Sequence, residues 1–307
     1  MRPRPCPQCG IDYRPKHSIQ KFCGPGCAVN ARTGVRKSDS IPDRVQTTDS
    51  PCRGRARICV IPDLHAPFHD PSMVAEMLAA TAGFEVAVVM GDVMDMYSVS
   101  RFINYEKVSA MHEIQEARAL LKQILGNYGQ VHLICGNHDD RPERQLRERL
   151  PQDVLDLVGY MTGGDFNPLR SMIRNEFPTV KMANNVIDGR LHADWFCKVG
   201  DAIFSHAEKY STTPGAALRS VDQWFTDFEK VVGVEGYKVV VQAHTHTMAM
   251  FPWKADRWLV ECGCLCKQHG YQFRAKIGGR PQRRGYVTME QVDGVTDPNS
   301  IRLVWLG

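Results

Sequence analysis

The chain has 307 residues, 43% of them hydrophobic, which is enough for one large α/β domain and a small appendage. It contains no run of about 18 apolar residues and no apolar stretch behind its basic N-terminus, so we expect no membrane span and predict a cytoplasmic location. The net charge of +4 is uneven, because residues 1–57 carry twelve Lys and Arg against four Asp. This basic arm indicates either contact with DNA or RNA, or a solvated linker.

Two cysteine pairs begin the chain. Thirteen residues separate Cys9 of the first pair from Cys23 of the second, and Gly and Pro residues lie at and between the pairs. Two pairs on tight turns can close a tetrahedral thiolate site, which is the geometry of structural zinc. We therefore predict a zinc-finger-like unit over residues 1–28 that binds one structural zinc through Cys6, Cys9, Cys23 and Cys27. Such a finger binds nucleic acid or protein, and the cysteine spacing does not decide between them.

Residues 29–55 are rich in Arg, Ser, Asp, Thr and Pro without periodicity, which predicts a flexible basic linker. From there on, short apolar runs alternate with amphipathic stretches, which predicts an α/β domain over residues 56–307. Strands are predicted in ARICVIPDLH, VAVVMGDVMD, VHLICGNHDD and KVVVQAHTH, a hairpin in KVGDAIFSHAEKY, and further strands in the tail. Helices are predicted at about 109–125 and 215–231. The less regular segment at about 150–195 is predicted to be a cap or insert.

Polar residues that can bind metal follow five of the apolar runs. In open α/β sheets, active sites form where strands end, so these residues can meet at one edge. Asp-x-His and His-x-His each direct two side chains to the same side of an extended chain. Carboxylate oxygen and imidazole nitrogen suit Mn, Fe and Zn. The five blocks are Asp63-Leu64-His65, Gly91-Asp92-Val93-Met94-Asp95, Gly136-Asn137-His138-Asp139, Ser205-His206 and His244-Thr245-His246.

The order of these blocks resembles the D-x-H, G-D-x-x-D, G-N-H-[DE], H and G-H-x-H pattern of the calcineurin-like metallophosphoesterase superfamily, over roughly residues 57–290. The resemblance implies a four-layer αββα sandwich, with two mixed sheets flanked by helices, and a centre of two divalent metal ions bridged by Asp92. One ion would be held by Asp63, His65, Asp92 and His246, and the other by Asp92, Asn137, His206 and His244. Ala243 stands where the family usually has Gly, and only a slight backbone adjustment is expected.

The resemblance also implies a mechanism in which the paired ions activate a hydroxide for in-line attack on phosphorus. His138 would be the general acid, and Asp95 would orient it and raise its pKa. A helix cap is the alternative role for Asp95. Arg101 is either a contact to substrate phosphate or an ordinary surface residue. Three alternating cysteines are expected to pack near the rim of the site, a second metal site being the alternative: Cys262, Cys264 and Cys266.

These features predict a dinuclear-metal-dependent phosphoesterase, a hydrolase acting on ester bonds. The basic arm and its predicted zinc favour a phosphodiesterase or nuclease acting on nucleic acid. The alternative is a phosphomonoesterase, such as a protein or nucleotide phosphatase. Met96 disfavours the protein phosphatases, many of which have Arg directly after the second Asp of G-D-x-x-D. A non-catalytic scaffold ranks last, because every ligand and acid position is filled.

Overall fold

The chain divides into two compact units, residues 1–45 and residues 46–307. The computed structural model describes residues 3–7, 12–15, 20–22, 54–101, 107–162, 166–187, 191–211, 213, 215–254, 256–268 and 282–307.

The described part of the first unit is a short hairpin. Strand β1 (Arg4–Pro5) pairs antiparallel with β2 (Asp12–Tyr13). Cys6, the first predicted zinc ligand, is buried directly after β1. The Tyr13 hydroxyl donates a hydrogen bond to the carbonyl oxygen of Gln20 (2.7 Å). The other predicted zinc ligands and most of the predicted linker lie outside the described residues: Cys9, Cys23, Cys27 and 29–53.

The second unit contains a seven-stranded mixed sheet. Its strands run in the order β15, β14, β3, β4, β5 and β6, and β16 also pairs with β14. Strands β3 to β6 are parallel, whereas β14, β15 and β16 run antiparallel to their neighbours. The apolar runs of β3 and β4 are buried on both faces, as expected of parallel strands covered on each side. The strands are β3 (Arg55–Ile61), β4 (Val86–Val89), β5 (Gln130–Leu133), β6 (Lys181–Met182), β14 (Gly285–Val292), β15 (Val295–Thr296) and β16 (Arg302–Trp305).

A second, five-stranded mixed sheet has the order β12, β13, β11, β10 and β9. Strands β10, β11 and β13 are parallel, and β9 and β12 are antiparallel edge strands. The predicted hairpin is β9 and β10, joined through Gly200 with a φ of 58°. A separate ribbon pairs β7 with β8. The strands are β7 (Asn185–Ile187), β8 (Leu191–Ala193), β9 (Phe196–Val199), β10 (Ala202–Ser205), β11 (Val239–Gln242), β12 (Met248–Trp253) and β13 (Arg257–Cys262).

Six α-helices are described in the second unit. The Asp70 side chain begins the first by accepting hydrogen bonds from the backbone N–H groups of Ser72 and Met73, and Ser109 caps the second in the same way. No helix in the described ranges is long and apolar enough to cross a membrane. The helices are α1 (Pro71–Ala80), α2 (Ala110–Asn127), α3 (Arg141–Arg149), α4 (Gln152–Thr162), α5 (Pro168–Glu176) and α6 (Ala216–Val232).

Three buried apolar clusters separate the layers. The first lies between helices α1, α2 and α5 and one face of the seven-stranded sheet. The second joins the two sheets face to face, with Val60 and Val88 from one and Phe204 and Val241 from the other. The third lies under α6, around Phe225. The layers are thus helix, sheet, sheet and helix, which confirms the predicted α/β fold with two mixed sheets and flanking helices.

Part of the segment predicted as a cap or insert belongs to this body. Leu169, Met172 and Ile173 of α5 are buried in the first cluster, and β6 extends the seven-stranded sheet. These three residues have the spacing of one face of a helix. Helix α4, by contrast, exposes Tyr160 (89%) and Leu157 (59%). Helix α5 and strand β6 thus contribute to the core, and a cap or insert within 150–195 stays a prediction.

Candidate metal centre

The five predicted blocks follow parallel strands at the carboxyl ends of both sheets. Asp63, Asp92 and Asn137 come after β3, β4 and β5 of the seven-stranded sheet. His206 and His244 come after β10 and β11 of the five-stranded sheet. Because the sheets pack face to face, these ends lie at one common rim.

Two hydrogen bonds cross between the sheets at this rim. The Nδ1 of His206 donates to the carbonyl oxygen of Met90 (2.6 Å), which leaves its Nε2 directed at the centre. The backbone N–H of His244 donates to the Asp63 carboxylate (3.1 Å). The side chains of the five-stranded sheet are therefore fixed relative to those of the seven-stranded sheet.

Four of the predicted ligands bring their donor atoms together. The Nε2 of His206 lies 3.2 Å from Asp92 Oδ2 and 3.2 Å from Asn137 Oδ1. The Nδ1 of His244 lies 2.8 Å from Asn137 Oδ1. Atoms that bind one ion at about 2.1 Å lie about 3.0–3.4 Å from one another. This set of oxygen and nitrogen donors therefore fits one divalent cation.

A second group forms around His65. Its Nε2 lies 3.1 Å from His246 Nε2 and 3.6 Å from Asp92 Oδ2, so Asp92 is shared between the two groups. Asp63 is fully buried, and its Oδ1 lies 3.6 Å from His206 Nδ1. Among the residues described, Asp63 joins none of the clusters of three donor atoms within 4.8 Å of one another. Three of the four residues predicted for this ion are thus brought together, and the fourth lies beside the first group.

The backbone is strained at five of the seven predicted ligands. Positive φ angles occur at Asp63 (21°), His65 (51°), Asp92 (46°), His244 (71°) and His246 (51°). Residues with a Cβ atom rarely adopt this conformation, which costs on the order of 1–3 kcal/mol each and is concentrated at functional sites. The surrounding fold therefore holds these residues in place against the preference of their own backbone for negative φ angles.

Two glycines allow the ligand loops to approach. A Cβ atom on Gly91, whose φ is 82°, would lie 2.5 Å from the backbone nitrogen of Gly136, and one on Gly136 would overlap the Asp92 carboxylate. Ala243 is different, because its backbone is not left-handed and its N–H donates to the carbonyl oxygen of Ser205 (3.0 Å). The alanine at this position is therefore accommodated without strain.

The site combines an ionised carboxylate with one imidazole whose pKa is raised and another whose pKa is lowered. Burial opposes ionisation of Asp92, but His206 and His138 hold the pKa of its carboxyl well below the ordinary value. Burial would lower the pKa of His206, yet the Asp92 carboxylate raises it to about 10. Burial lowers the pKa of His244 to about 4, which keeps this imidazole neutral and able to bind a metal.

Asp95 contacts two histidines. Its Oδ2 lies 3.0 Å from Nδ1 of His65 and 3.4 Å from Nδ1 of His138, and its carbonyl oxygen accepts from the same His138 nitrogen (3.0 Å). Asp95 was predicted to orient His138, and its carboxylate also lies close enough to His65 to orient that ring. The short helix that follows, Tyr97–Val99, has no side-chain cap, so Asp95 does not act as a helix cap.

His138 also contacts Arg141. Its Nε2 lies 2.8 Å from an Arg141 guanidinium nitrogen, and its backbone N–H donates to Asp92 Oδ1 (2.8 Å). Burial opposes protonation of the ring, but the carboxylates of Asp92 and Asp95 outweigh burial and raise the pKa of His138. The two carboxylates thus favour the protonated ring, whereas the contact with Arg141 requires Nε2 to accept a hydrogen bond.

Asp139 stands in the G-N-H-D block, but no role was predicted for it. The carboxylate is fully buried and accepts hydrogen bonds from the backbone N–H groups of Met94 (3.0 Å) and Gly136 (3.0 Å). It therefore ties the loop that carries Asp92 to the loop that carries Asn137. Its place in the G-N-H-D block was the signal that could have identified it.

Two contacts of the second group come from residues distant in sequence. The Gln282 amide lies 2.8 Å from Nδ1 of His246 and 3.3 Å from the sulfur of Cys266. That sulfur lies within 4.8 Å of the ligand atoms of His65 and His246. Cys266 was expected to pack near the rim of the site, and its sulfur lies beside the donor atoms themselves.

Arg101 was predicted to be either a contact to substrate phosphate or a surface residue. It forms an ion pair with Glu148 and is exposed.

The chain was also compared with known proteins. A family model described as calcineurin-like phosphoesterase matches residues 56–248, well over half of the chain. No curated protein matches. Vacuolar protein sorting 29 from Cryptosporidium parvum is 14% identical, with a TM-score of 0.42, covering 83% of this chain and 99% of that one. Vps29 from Entamoeba histolytica, complexed with Zn²⁺, is 9% identical, with a TM-score of 0.38, covering 77% and 87%.

A further similar structure is a predicted phosphoesterase from Streptococcus pneumoniae. It is 10% identical, with a TM-score of 0.32, and covers 81% of this chain and 97% of that one. These likenesses are remote, so the assignment rests on the match to the family model and on the motif blocks within the matched residues. The chain belongs to the calcineurin-like phosphoesterase family.

Proposed function

We propose that the chain hydrolyses phosphate esters at a centre of two divalent cations, of Mn, Fe or Zn, bridged by Asp92. The observation that carries this proposal is the convergence of buried oxygen and nitrogen donors on both sides of Asp92 Oδ2, with His206 Nε2 at 3.2 Å and His65 Nε2 at 3.6 Å. The proposed ligands are Asp63, His65, Asp92, Asn137, His206, His244 and His246.

When bound, two such cations supply positive charge to the phosphoryl oxygens and make water more acidic. His138 would protonate the leaving oxygen, and the carboxylates of Asp92 and Asp95 favour the imidazolium that this role needs. The Arg141 guanidinium now lies 2.8 Å from Nε2 of His138. For Nε2 to carry a proton, Arg141 must leave this contact, and a phosphoryl oxygen is the acceptor to which it can turn.

The first candidate substrate is a phosphodiester of nucleic acid, supported by the twelve Lys and Arg of residues 1–57. We further propose that Cys6, Cys9, Cys23 and Cys27 bind one structural zinc in that arm. A phosphomonoester such as a nucleotide is the second candidate. Two ion pairs near the site favour this second candidate, because Arg144 binds Glu208 and Arg170 binds Glu143. Pairing with acidic residues reduces the positive electrostatic potential that would attract a DNA or RNA duplex.

A substrate panel tests the proposal. The Mn²⁺-loaded protein is offered bis(4-nitrophenyl) phosphate, 4-nitrophenyl phosphate, and end-labelled single- and double-stranded DNA. We expect turnover of the diester and cleavage of DNA. Faster turnover of the monoester with intact DNA would exclude the nuclease and favour the second candidate.

The matched control is Asp92→Asn, which changes one buried oxygen to nitrogen at the shared ligand. We expect this variant to bind neither ion and to lose activity on every substrate. A variant that retains two ions in addition to the proposed structural zinc would contradict the shared role of Asp92. Absence of turnover by the metal-loaded wild type would favour a non-catalytic scaffold.

A further inference from the structure

A cavity of about 550 Å³ opens beside the proposed metal ligands Asn137 and His206. Its volume lies in the range of sites that hold a small organic ligand. Because the two ligands form part of its lining, a phosphate bound at the metal centre would have its organic substituent within reach of this space. The rest of the lining therefore bears on which ester the centre accepts.

One wall of the cavity is aromatic. Trp195 and Trp224 both line it and are partly exposed, with ring centroids 5.1 Å apart and planes at 62°. Trp195 packs against Phe225 behind it (5.7 Å), and its carbonyl oxygen accepts a hydrogen bond from the backbone N–H of His206 (2.8 Å). The wall is thus fixed relative to a proposed metal ligand and offers flat apolar surface to a bound molecule.

The same cavity carries polar groups. Arg144 and Glu208 form an ion pair with about half of each side chain exposed, and Ser220 and Asp140 also line the space. These groups add hydrogen-bond donors and acceptors beside the aromatic wall, and a nucleobase combines an aromatic face with donors and acceptors at its edge. The lining therefore matches a nucleobase on both counts.

We propose that this cavity binds the nucleobase of a nucleotide-containing phosphate ester, stacked on Trp195 and Trp224, an inference that rests on the proposed function. A base paired within a duplex is stacked on both faces and cannot enter a pocket without leaving the helix. The substrate is therefore an unpaired unit. It comes either from a free nucleotide or from a single strand, since both present the same base and phosphate.

Two chromogenic diesters that share a leaving group test the proposal. The Mn²⁺-loaded protein is given thymidine 5′-(4-nitrophenyl phosphate) and methyl 4-nitrophenyl phosphate. We expect kcat/KM to be at least about 10-fold higher for the thymidine ester, since stacking of one base contributes a factor of roughly 5 to 150. Trp195→Leu and Trp224→Leu should each reduce this preference at least about 5-fold, and Trp195→Phe should retain most of it.

The matched control is Trp305→Leu, because Trp305 is 54% exposed and does not line the cavity. It should keep the wild-type preference. Preference is a ratio of two rates on one sample, so partial unfolding of a variant cancels. Equal kcat/KM for the two esters in the wild type, or an unchanged preference in both Trp→Leu variants, would overturn the proposal.

A binding measurement separates this inference from the proposed function. If neither ester is hydrolysed, calorimetry compares adenosine 5′-monophosphate with ribose 5-phosphate on the metal-loaded protein. Tighter binding of the nucleotide supports the base pocket even without catalysis, and equal binding refutes it.

A comparison of cleavage rates identifies the source of the base. Faster cleavage of a nucleotide ester than of a labelled single strand indicates a free nucleotide, and the reverse order indicates a single strand. Equal cleavage of the duplex and the single strand would contradict the requirement for an unpaired base.

Discussion

His138 occupies a position that differs from that of the surrounding histidines. His65, His206 and His244 direct ring nitrogens toward Asp92 or Asn137 at 2.8–3.6 Å, whereas Nε2 of His138 is 4.0 Å from Asp92 Oδ2. The ring is near enough to the proposed centre to exchange a proton with a substrate, yet it lies outside the closest donor contacts. A ring nitrogen of His138 nevertheless lies within 4.8 Å of the donor atoms of His65 and Asp92, so metal content must be measured to distinguish an acid from a ligand.

We predict that His138→Gln retains the metal ions and loses activity by a factor of roughly 10²–10⁴, the usual contribution of general acid catalysis. Activity on bis(4-nitrophenyl) phosphate and metal content by mass spectrometry are measured together. His112→Gln is the control, because this histidine at the start of α2 is exposed and, among the hydrogen bonds described, bonds only through its backbone. Full activity of His138→Gln would exclude the acid role, and loss of metal would reassign the residue as a ligand.

At the scale of single residues, the sequence predicted which side chains meet but not all of their contacts. The blocks with Asp92, His206 and His244 could be recognised because each follows an apolar run at short, regular spacing. The contact of Gln282 with His246 joins residues 36 positions apart, so no local sequence pattern predicts it. The double contact of Asp95 could not be predicted either, because it depends on how the loops after two strands fold against each other.

At the scale of elements, a buried carboxylate joins α6 to the five-stranded sheet in addition to the apolar cluster beneath the helix. Asp222 is fully buried and accepts hydrogen bonds from Tyr237 (2.9 Å), Trp253 (2.9 Å), Lys254 (2.9 Å) and Arg257 (3.1 Å). A buried charge is tolerated only when it is paired and hydrogen-bonded in this way. The position of the helix that supplies Trp224 to the cavity therefore depends on this network.

We predict that Asp222→Asn lowers the free energy of unfolding at pH 7 by about 1.5–3 kcal/mol, the usual contribution of hydrogen bonds to a charged group. Burial opposes ionisation, but hydrogen bonds from Lys254 and Tyr237 lower the pKa of Asp222. A lowered pKa stabilises the fold above the ordinary carboxyl value of about 3.9 and loses this effect as pH falls through the lowered value. The difference between wild type and variant, measured by urea unfolding, should thus shrink below about pH 4.

Asp227→Asn on the same helix is the control, since that residue is exposed and bonds only to the Gln223 side chain among the contacts described for it. It should change stability by less than about 0.5 kcal/mol at every pH. An Asp222→Asn effect that is constant from pH 7 to pH 3.5 would show that the charge of Asp222 does not stabilise the fold.

Most elements could be predicted from periodicity. The helix expected at 109–125 is Ala110–Asn127, and the helix expected at 215–231 is Ala216–Val232. Both have a long amphipathic pattern, which is the strongest local signal. The segment 150–195 was less predictable, because α5 has only nine residues and β6 only two. Elements this short are specified by the core that they complete and only weakly by their own sequence.

At the scale of the whole molecule, the two proposed kinds of metal belong to different compact units. The four cysteines fall within residues 1–45, and the seven proposed catalytic ligands fall within residues 46–307. Sites that share no residues usually change independently on mutation. The chain should therefore contain close to three metal ions, one thiolate-bound zinc and two ions at the phosphoesterase centre.

We predict that the double variant Cys6→Ser and Cys9→Ser loses one zinc and retains the other two ions together with hydrolysis of the nitrophenyl diester. Asp92→Asn should show the opposite pattern, with only the zinc left.

Thermal unfolding tests the same independence. A ligand that binds only the folded chain, at a free concentration of about 100 times its Kd, raises the free energy of unfolding by about 2.7 kcal/mol. In a domain of this size, that corresponds to a rise in Tm of roughly 5–10 °C. Metal addition should therefore raise the Tm of the catalytic unit in wild type and in the cysteine variant, but not in Asp92→Asn. Loss of all three ions in the cysteine variant would show that the two units depend on each other, and an unchanged zinc content would remove the predicted finger.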